Sequence, residues 1–425
     1  MKYTDLKEYI ISGKIDNKLK QIICDDDVSE ERKRYIKPLD EAYAMYGDGD
    51  YHFVSSPGRS EIGGNHTDHQ HGNVVCAGLS IDNICVVKKN DDNTVHFKDA
   101  DFVIAPVDLN DLEIHEEQFN SSESLIRGIA ASMSKRGYDI GGFDCLCNSR
   151  VLVGSGISSS ACFEMMIAEV FNSLYNNDRM NPIERAIIGQ YAENVYFGKP
   201  SGLMDQMAIS VGGFVTIDFK NPDDPVIENF SFSFADHGYE MVIVNTKGDH
   251  ADLSYEYAGI PNEIKKVADV LGVEYLADTS KEKFLDNFME IRKKVNDDRA
   301  MLRSLHFFNE NERAIRQKEA IRNNDIDELL KLMNESAKSS YEYLQNVYPS
   351  SRPFSQSLAV GLALADDYLE RDGVARVHGG GFEGTIQCIV PEDKMAGFEK
   401  LMCSVFGDDC LLKVRVRSFG TAFII

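Results

Sequence analysis

A glycine turn followed by three serines lies near the middle of this chain, between a strand pattern and a helix pattern. Residues 141–147 alternate apolar and polar side chains as in a half-buried strand, and residues 161–171 have the apolar spacing of a packed helix. Gly154 and Gly156 let backbone N–H groups approach a ligand closely, and a helix N-terminus adds unpaired donors and a positive dipole end. This combination predicts a phosphate-binding loop within an α/β segment.

The serines that follow the turn, Ser158, Ser159 and Ser160, leave several roles open. A hydroxyl at such a position can cap the helix, bond a phosphate oxygen or hold Mg²⁺. Two familiar phosphate loops are excluded, because the stretch lacks the third glycine of the dinucleotide fingerprint and the Gly-Lys-Ser/Thr of a Walker A loop. A serine-capped helix after an ordinary glycine turn is the simpler alternative on this stretch alone.

The composition of the chain restricts its class and its partners. It has 425 residues, 43% of them hydrophobic and 27% charged, which is typical of a globular protein of two or three domains. A net charge of −24 argues against nucleic acid and anionic membranes as partners. The charged N-terminus and the short longest apolar run, residues 358–365, predict neither a secretory signal nor a membrane span. Nine cysteines without a regular framework predict reduced thiols and a cytoplasmic location.

Pattern changes divide the chain into three parts. Residues 1–48 are charged and helical in pattern and form an N-terminal extension. Residues 49–222 mix strands, helices and glycine loops, and the proline-rich residues 221–225 mark the start of a second domain over residues 223–425. Within the first domain, strand patterns at residues 84–88 and 94–97 flank four polar residues, which predicts a hairpin.

Two further glycine-rich stretches have the composition of loops that contact a polar ligand. Residues 58–72 contain four glycines, one arginine and many short polar side chains, and residues 379–384 open a strand. A Met-Asp-Gln turn carries Asp205. A lone turn of this kind is most often structural, so the weight lies on the set of loops rather than on any one of them.

Taken together, these stretches resemble the GHMP kinase family, and within it the galactokinases most closely. Residues 58–70 follow the signature Gly-Arg-Val-Asn-Leu-Ile-Gly-Glu-His-Thr-Asp-Tyr-Asn without gaps, and residues 154–161 match the phosphate loop Gly-x-Gly-Leu-Ser-Ser-Ser-Ala. Residues 202–206 match Gly-Ile-Met-Asp-Gln, and residues 379–384 match Gly-Ala-Gly-Phe-Gly-Gly with two departures. The resemblance implies an α+β (α/β two-domain) fold, a ribosomal-S5-like N-terminal domain plus a ferredoxin-like C-terminal domain, with the active site between them.

The resemblance also implies an activity and a set of site residues. The activity is that of an ATP-dependent sugar 1-kinase, which phosphorylates the anomeric hydroxyl of galactose to give galactose 1-phosphate and ADP. By position, Asp205 matches the catalytic base and Arg59 the cation that meets charge in the transition state. The residues that match sugar contacts are Asn65, His66, Thr67, Asp68 and Tyr257. Those that match the ATP loop are Gly154, Ser155, Gly156, Ile157, Ser158, Ser159 and Ser160. The Mg²⁺ ligands by position are Ser160 and Glu193.

Each catalytic position also has a plainer interpretation. Asp205 could cap a helix, Glu193 could be a solvated helix residue, and Arg59 could pair with nearby Glu61.

The histidine-rich part of the first loop has a different alternative. His66, Asp68, His69 and His71 are side chains that suit Zn²⁺, so a transition-metal site is a competing hypothesis.

The sugar-facing positions depart from the family pattern, whereas the catalytic positions do not. The family's glutamate before His66 is Asn65 here, and its Tyr-Asn is His69-Gln70. Because that glutamate accepts a hydrogen bond from the C6 hydroxyl in the family, a kinase for a C6-altered relative such as galacturonate is one alternative. A catalytically silent sugar sensor is another, against which the intact Arg59 and Asp205 argue. We expect a small-molecule sugar as partner and a monomer or weak homo-oligomer.

Overall fold

The computed structural model describes residues 1–99, 104–151, 156–199, 201–222, 224–248 and 253–425. Gly154 and Ser155 of the predicted phosphate loop lie outside these ranges. The helices are α1 Tyr3–Ile11, α2 Asp16–Ile23, α3 Ser29–Tyr46, α4 Ser122–Lys135, α5 Ser159–Tyr175, α6 Pro182–Tyr191, α7 Met204–Val211, α8 Ser254–Leu271, α9 Lys281–Asp286, α10 Phe288–Val295, α11 Asp298–Arg322, α12 Ile326–Ser339, α13 Ser357–Leu369 and α14 Met395–Phe406. The strands are β1 His52–Gly63, β2 Asn73–Lys89, β3 Thr94–Asp99, β4 Val107–Asp108, β5 Phe143–Ser149, β6 Phe214–Asp218, β7 Val226–Phe230, β8 Tyr239–Asn245, β9 Val374–Val377, β10 Thr385–Pro391, β11 Leu411–Val414 and β12 Ala422–Phe423.

The larger sheet is built around the long strand β2. Its strand order is β12-β1-β2-β5-β3-β4, and β2 also pairs with β6, which pairs with β7. One strand can have two neighbours on the same edge because residues 73–77 pair with β6 and residues 83–89 pair with β5. Helices α5 and α7 pack against β1 and β2, which brings the helix after the glycine turn next to the first glycine-rich stretch.

The smaller sheet has the order β11-β8-β10-β9 and is antiparallel throughout. In chain order these strands are fourth, first, third and second, which is the ferredoxin-like arrangement that the resemblance implied. One face packs against α13 and α14 through residues such as Leu358 and Phe398. Met241, Ile243 and Ile389 of the other face join a core that also contains residues of the larger sheet, so the two sheets share apolar packing. The α+β fold class is confirmed.

Two local predictions were wrong. Residues 90–93 do not close a hairpin, because β5 lies between β2 and β3 and runs parallel to β3. Four residues span up to about 13 Å, enough to cross two strand spacings of roughly 4.8 Å, so loop length alone did not require direct pairing. Residues 56–63, predicted as loop, continue β1, with register shifts at Pro57/Arg59 and at Glu61/Gly63 that accommodate the proline and glycines.

The N-terminal helices pack on the larger sheet, where Tyr35 and Leu39 of α3 share an apolar cluster with Phe53 of β1. The chain also returns to this sheet at its end, since β12 pairs with β1. Strand β7 lies beyond residue 222 and still pairs in the larger sheet. The boundary between residues 222 and 223 therefore stays a prediction. Within the described ranges, no helix is both long enough and apolar enough to cross a membrane.

Candidate active site

A pocket of ≈ 270 Å³ collects side chains from the first glycine-rich stretch, the Met-Asp-Gln turn and the loop after β9. Its lining includes seven residues predicted from sequence: Arg59, Asn65, His66, Asp68, Glu193, Asp205 and Tyr257. It also includes His69, which the sequence offered only as a metal ligand, and side chains that the sequence did not single out as site residues: Glu61, Lys199, Ser201, Met204 and Gln206. Residues from both predicted domains thus line one pocket, as the resemblance implied.

Asp205 and Arg59 form a two-point ion pair in the wall of this pocket. Arg59 Nε donates to Asp205 Oδ1 at 2.6 Å and Nη2 donates to Oδ2 at 2.9 Å, while Ser158 Oγ donates to Oδ2 at 2.7 Å. Burial by itself raises the pKa of Asp205, but the charge and hydrogen bonds of Arg59 and the Ser158 hydroxyl outweigh it and hold the pKa below its usual value. Asp205 is therefore a carboxylate at neutral pH.

The plainer interpretations of these residues do not fit the geometry. Arg59 pairs with Asp205 rather than with Glu61. Asp205 lies inside the first turn of α7, one residue past Met204, and makes no side-chain cap. Glu193 is 2% exposed, so it is not a solvated helix residue.

Arg59 also connects the carboxylate to the glycine turn ahead of α5. Its Nη1 donates to the carbonyl oxygen of Gly156 at 2.6 Å, and its backbone N–H donates to the carbonyl oxygen of Ile157 at 3.0 Å. Gly156 has φ +75°, and a Cβ there would lie 2.2 Å from Thr385 Oγ1. The turn is therefore seated directly against the smaller sheet, which only a glycine permits.

We expect Gly156→Ala to destabilise the fold and to weaken nucleotide binding. The left-handed φ costs about 1 kcal/mol, and the contact with Thr385 adds to it by displacing the turn. Gly238→Ala is the matched control, because Gly238 has φ +77° with nothing within 4 Å of an added Cβ. Chemical denaturation and calorimetric titration with ADP measure both effects. Equal destabilisation in the two variants, with unchanged ADP affinity, would contradict the close seating of the turn.

The hydroxyl-bearing residues after Gly156 stand at the start of α5. Ser158 precedes the helix with φ +62°, and Ser159 and Ser160 are its first two residues. Ile157 is buried in the core, so it anchors the turn. The described part of the predicted ATP loop thus forms a helix N-terminus, as the serine pattern indicated.

The predicted sugar-contact residues divide into two groups. His66, Asp68 and Tyr257 border the pocket, and Asp68 Oδ2 would lie 2.5 Å from a Cβ at residue 202, so Gly202 allows its approach. Burial and the neighbouring His69 ring lower the pKa of His66 to about 4, which leaves its ring neutral at pH 7. Thr67 is fully buried and does not line the pocket, because its hydroxyl lies against the carbonyl oxygens of Gly64 and Asn73.

Asn65 borders the pocket, yet protein groups occupy its amide. Its Nδ2 donates to both carboxylate oxygens of Glu61, at 3.0 and 3.1 Å, and to the carbonyl oxygen of Gly379 at 2.8 Å. Its Oδ1 accepts from Asn346 Nδ2 at 2.9 Å. The side chain is also 1% exposed. In this arrangement Asn65 supports its neighbours and has no donor to spare for a ligand.

A second carboxylate cluster lies beside the pair of Asp205 and Arg59. Glu193 is held in a π-helical turn, Ala192–Phe197, a feature common at functional sites. Its Oε1 accepts from Lys199 Nζ at 2.8 Å, and its Oε2 accepts from Ser201 Oγ at 2.5 Å and Gln206 Nε2 at 2.8 Å. Gln206 Nε2 also donates to Glu164 Oε2 at 2.9 Å, which joins the two glutamates through one amide.

The alternative transition-metal site on the histidine-rich stretch does not form. His71 stacks on Tyr275, with ring centroids 3.6 Å apart, while His66 stacks on His69. In the described part of the chain, the one group whose ligand atoms converge as a metal site requires is elsewhere, at Cys85, Cys145 and Cys147.

Comparisons with known proteins agree with this geometry. A model of the GHMP kinase N-terminal domain matches residues 124–213, and a model of the galactokinase galactose-binding signature matches residues 43–89. The galactokinase of Glaesserella parasuis is 30% identical over 359 residues, which are 82% of this chain and 88% of that protein. The galactokinase of Clostridium tetani is 28% identical over 380 residues, 88% of this chain and 91% of that protein.

A solved structure supports the same fold. The structure of Lactococcus lactis galactokinase complexed with galactose aligns with a TM-score of 0.76 at 23% identity, covering 90% of this chain and 98% of that one. The fold and its loops are those of a GHMP kinase, a phosphotransferase class. Within that class, this chain belongs to the galactokinase family.

Sequence reasoning missed several residues that bond the predicted site residues. Lys199 and Ser201 follow the π-helical turn without any periodic signal, so nothing in the sequence pointed to them. Gln206 belongs to the Gly-Ile-Met-Asp-Gln motif, which points to Asp205 instead. Glu61 was named as a possible partner of Arg59, and the structure instead pairs it with Arg376 of β9.

Proposed function

We propose that this protein transfers the γ-phosphoryl group of ATP to the anomeric hydroxyl of galactose, giving galactose 1-phosphate and ADP. The observation that carries the proposal is the ionised Asp205, held by Arg59 and Ser158 in a sugar-sized pocket beside the N-terminus of α5. The galactokinase relatives support the choice of sugar.

Asp205 would act as the proton acceptor for the attacking hydroxyl. Its lowered pKa makes it a weak base, which is sufficient because the transition state of phosphoryl transfer is loose and the nucleophile loses its proton late. Positioned bases of this kind contribute about 10²–10⁴-fold. Arg59 lies between Asp205 and the carbonyl of Gly156, so its charge can also meet the transferring phosphoryl group.

The start of α5 would bind the phosphates of ATP. The first turn of a helix presents backbone N–H groups without intrahelical partners, together with the positive end of the helix dipole. Ser159 and Ser160 add hydroxyl donors at the same end, while the hydroxyl of Ser158 donates to Asp205. Salt screens the distant charges that make up the net charge of −24. The nearby donors at the helix end can therefore outweigh them.

The cluster around Glu193 fits Mg²⁺. Ser160 and Glu164 are four residues apart on α5 and share one face, and Gln206 joins Glu164 to Glu193. Among the described residues, Glu164 Oε1 is buried without a hydrogen-bond partner, and Lys199 supplies the positive charge at Glu193. Oxygen ligands of this kind are those that Mg²⁺ prefers. When bound, Mg²⁺ would be held by Ser160 and Glu193 and would supply positive charge against the phosphates.

We expect Ser160→Ala combined with Glu193→Ala to raise the Mg²⁺ concentration needed for half-maximal ADP release by at least about tenfold, because two oxygen ligands are lost. Glu117→Ala is the control, since Glu117 is 75% exposed. Calorimetric titration with ADP in the presence and absence of Mg²⁺ gives a second readout. An unchanged Mg²⁺ titration would remove both residues from the ligand set.

The same geometry bears on the alternatives. Glu61 puts a carboxylate in the pocket wall, which disfavours a second carboxylate at C6 and therefore disfavours galacturonate. The intact pair of Arg59 and Asp205 favours an enzyme over a silent sensor.

We also propose that the protein works in the cytoplasm as a monomer or weak homo-oligomer. ADP release measured over a panel of hexoses and hexuronates tests the proposal, with galactose expected to give the highest kcat/KM and equal release without sugar contradicting it.

A further inference from the structure

Two positions of the sugar-kinase signature carry exchanged side chains. Where the signature has Asn, this chain has Glu61, and where the signature has Glu, this chain has Asn65. Each change alone alters the charge of the pocket, whereas the two together keep one carboxylate and one amide. The side chains also touch, since Asn65 Nδ2 lies 3.0 and 3.1 Å from the two carboxylate oxygens of Glu61.

The contacts of the pair leave one acceptor open. Asn65 gives both amide protons to protein acceptors, and its oxygen accepts from Asn346. Glu61 Oε1 accepts from Arg376 Nη2 at 2.8 Å as well as from Asn65. In the described part of the chain, Glu61 Oε2 accepts from Asn65 alone. A carboxylate oxygen can accept about two hydrogen bonds, so Oε2 retains capacity for a further donor, and Glu61 lines the pocket.

The position of this carboxylate is fixed from the other sheet. Arg376 on β9 is 1% exposed, and its Nη1 donates to the carbonyl oxygen of Glu61 at 2.6 Å while Nη2 reaches the carboxylate. Gln387 on β10 donates to the same carbonyl oxygen at 2.8 Å. Backbone and side chain of Glu61 are thus both held, so its orientation is set before a ligand arrives.

We propose that Glu61 is a specificity-determining residue of this enzyme, whose Oε2 accepts a hydrogen bond from one ring or C6 hydroxyl of the sugar while Asn65 and Arg376 orient it. The proposal rests on the proposed function and adds the residue that selects the substrate. It assigns to residue 61 the acceptor role that the signature gives to residue 65. A buried, preoriented acceptor rejects analogues that lack the hydroxyl, because the carboxylate is then left without its donor.

The test compares Glu61→Gln with the parent on galactose and on its monodeoxy analogues. Glutamine keeps the size of the side chain and replaces one acceptor by a donor. We expect kcat/KM for galactose to fall by about 10–150-fold, the usual loss for a hydrogen bond to a charged group. For one deoxy analogue, the one without the partner hydroxyl, parent and variant should agree within about twofold. Equal losses on every sugar would overturn the proposal.

A control variant separates recognition from stability. Glu169→Gln breaks another buried ion pair, with Arg185, outside the pocket, so it should change stability without changing the ratios between sugars. If Glu61→Gln does not fold, Arg376→Gln in the same chain removes the unpaired buried cation. Failure of that double variant to fold would assign Glu61 to the contact between the sheets and overturn its role in recognition.

Exchanging the pair gives an independent test. Asn65→Glu alone brings two carboxylates together, and Glu61→Asn alone leaves Arg376 without its partner, so each should lose activity. The double exchange restores one carboxylate and one amide. We expect its fold loss in kcat/KM to be at least about tenfold smaller than the product of the two single fold losses. Additive losses would contradict the coupling.

Sugar binding separates the failure of this proposal from that of the proposed function. Calorimetric titration with galactose needs no turnover. If galactose binds in a Glu61-dependent way without ADP release, the proposed kinase activity fails and the role of Glu61 stands. If ADP is released and the sugar ratios ignore residue 61, only the role of Glu61 fails.

Discussion

Asp205→Asn lowers kcat by about 10²–10⁴-fold and leaves ADP affinity within about twofold of the parent. Asparagine keeps the size of the side chain and removes its charge and proton affinity. Its Oδ1 can still accept from Arg59 Nε and its Nδ2 can donate to Ser158 Oγ, while the bond from Arg59 Nη2 is lost. One contact with Arg59 therefore remains, and the turn at the start of α7 should persist. Steady-state kinetics with galactose and ATP, together with ADP titration, measure both quantities.

Asp82→Asn is the control for this change. Asp82 is also a buried carboxylate paired with arginines, Arg34 and Arg417, but it does not line the pocket. We expect Asp82→Asn to lower the free energy of unfolding with little change in kcat for the folded fraction. A kcat for Asp205→Asn within about tenfold of the parent would mean that another group accepts the proton.

Arg59→Ala lowers kcat by about 10³-fold and moves the acid limb of the pH–kcat/KM profile to higher pH. Arg59 is the main attractive cause of the lowered pKa of Asp205, so its removal leaves the opposing effect of burial and the pKa rises. In the parent, Asp205 stays ionised down to below its ordinary value of 3.8, and its titration does not limit activity at neutral pH. In the variant, activity is lost at a higher pH as the solution is acidified.

Arg59→Lys refines the same prediction. Lysine keeps the positive charge beside Asp205 but loses the two-point contact. Arg59→Lys should therefore move the acid limb less than Arg59→Ala does, while kcat still falls. Coincident pH profiles for the parent and Arg59→Ala would show that Arg59 does not control the ionisation of Asp205.

Local patterns predicted the elements whose side chains repeat regularly. Helix α5, after the glycine turn, follows from such a pattern. The separation of β2 and β3 could not be predicted in this way, because loop length does not reveal that β5 inserts between them. Strand partners far apart in the chain leave no local mark.

The site shows the same division more sharply. The resemblance named Arg59 and Asp205, and the structure brings them together. The full environment of Asn65 could not be predicted, because two of its partners, Gly379 and Asn346, lie 314 and 281 residues further along the chain. From the sequence only the departure at Asn65 stood out, and its exchange with Glu61 is recognised where the two side chains touch.

The most direct test of the account is proton–phosphorus correlation NMR on a reaction of the protein with ATP, Mg²⁺ and galactose. The account predicts one new phosphomonoester that correlates with the anomeric proton of the sugar, forms in equal amount with ADP, and is absent with 1-deoxygalactose. ADP formation that does not depend on sugar, or a phosphoryl group on any other hydroxyl, would contradict it.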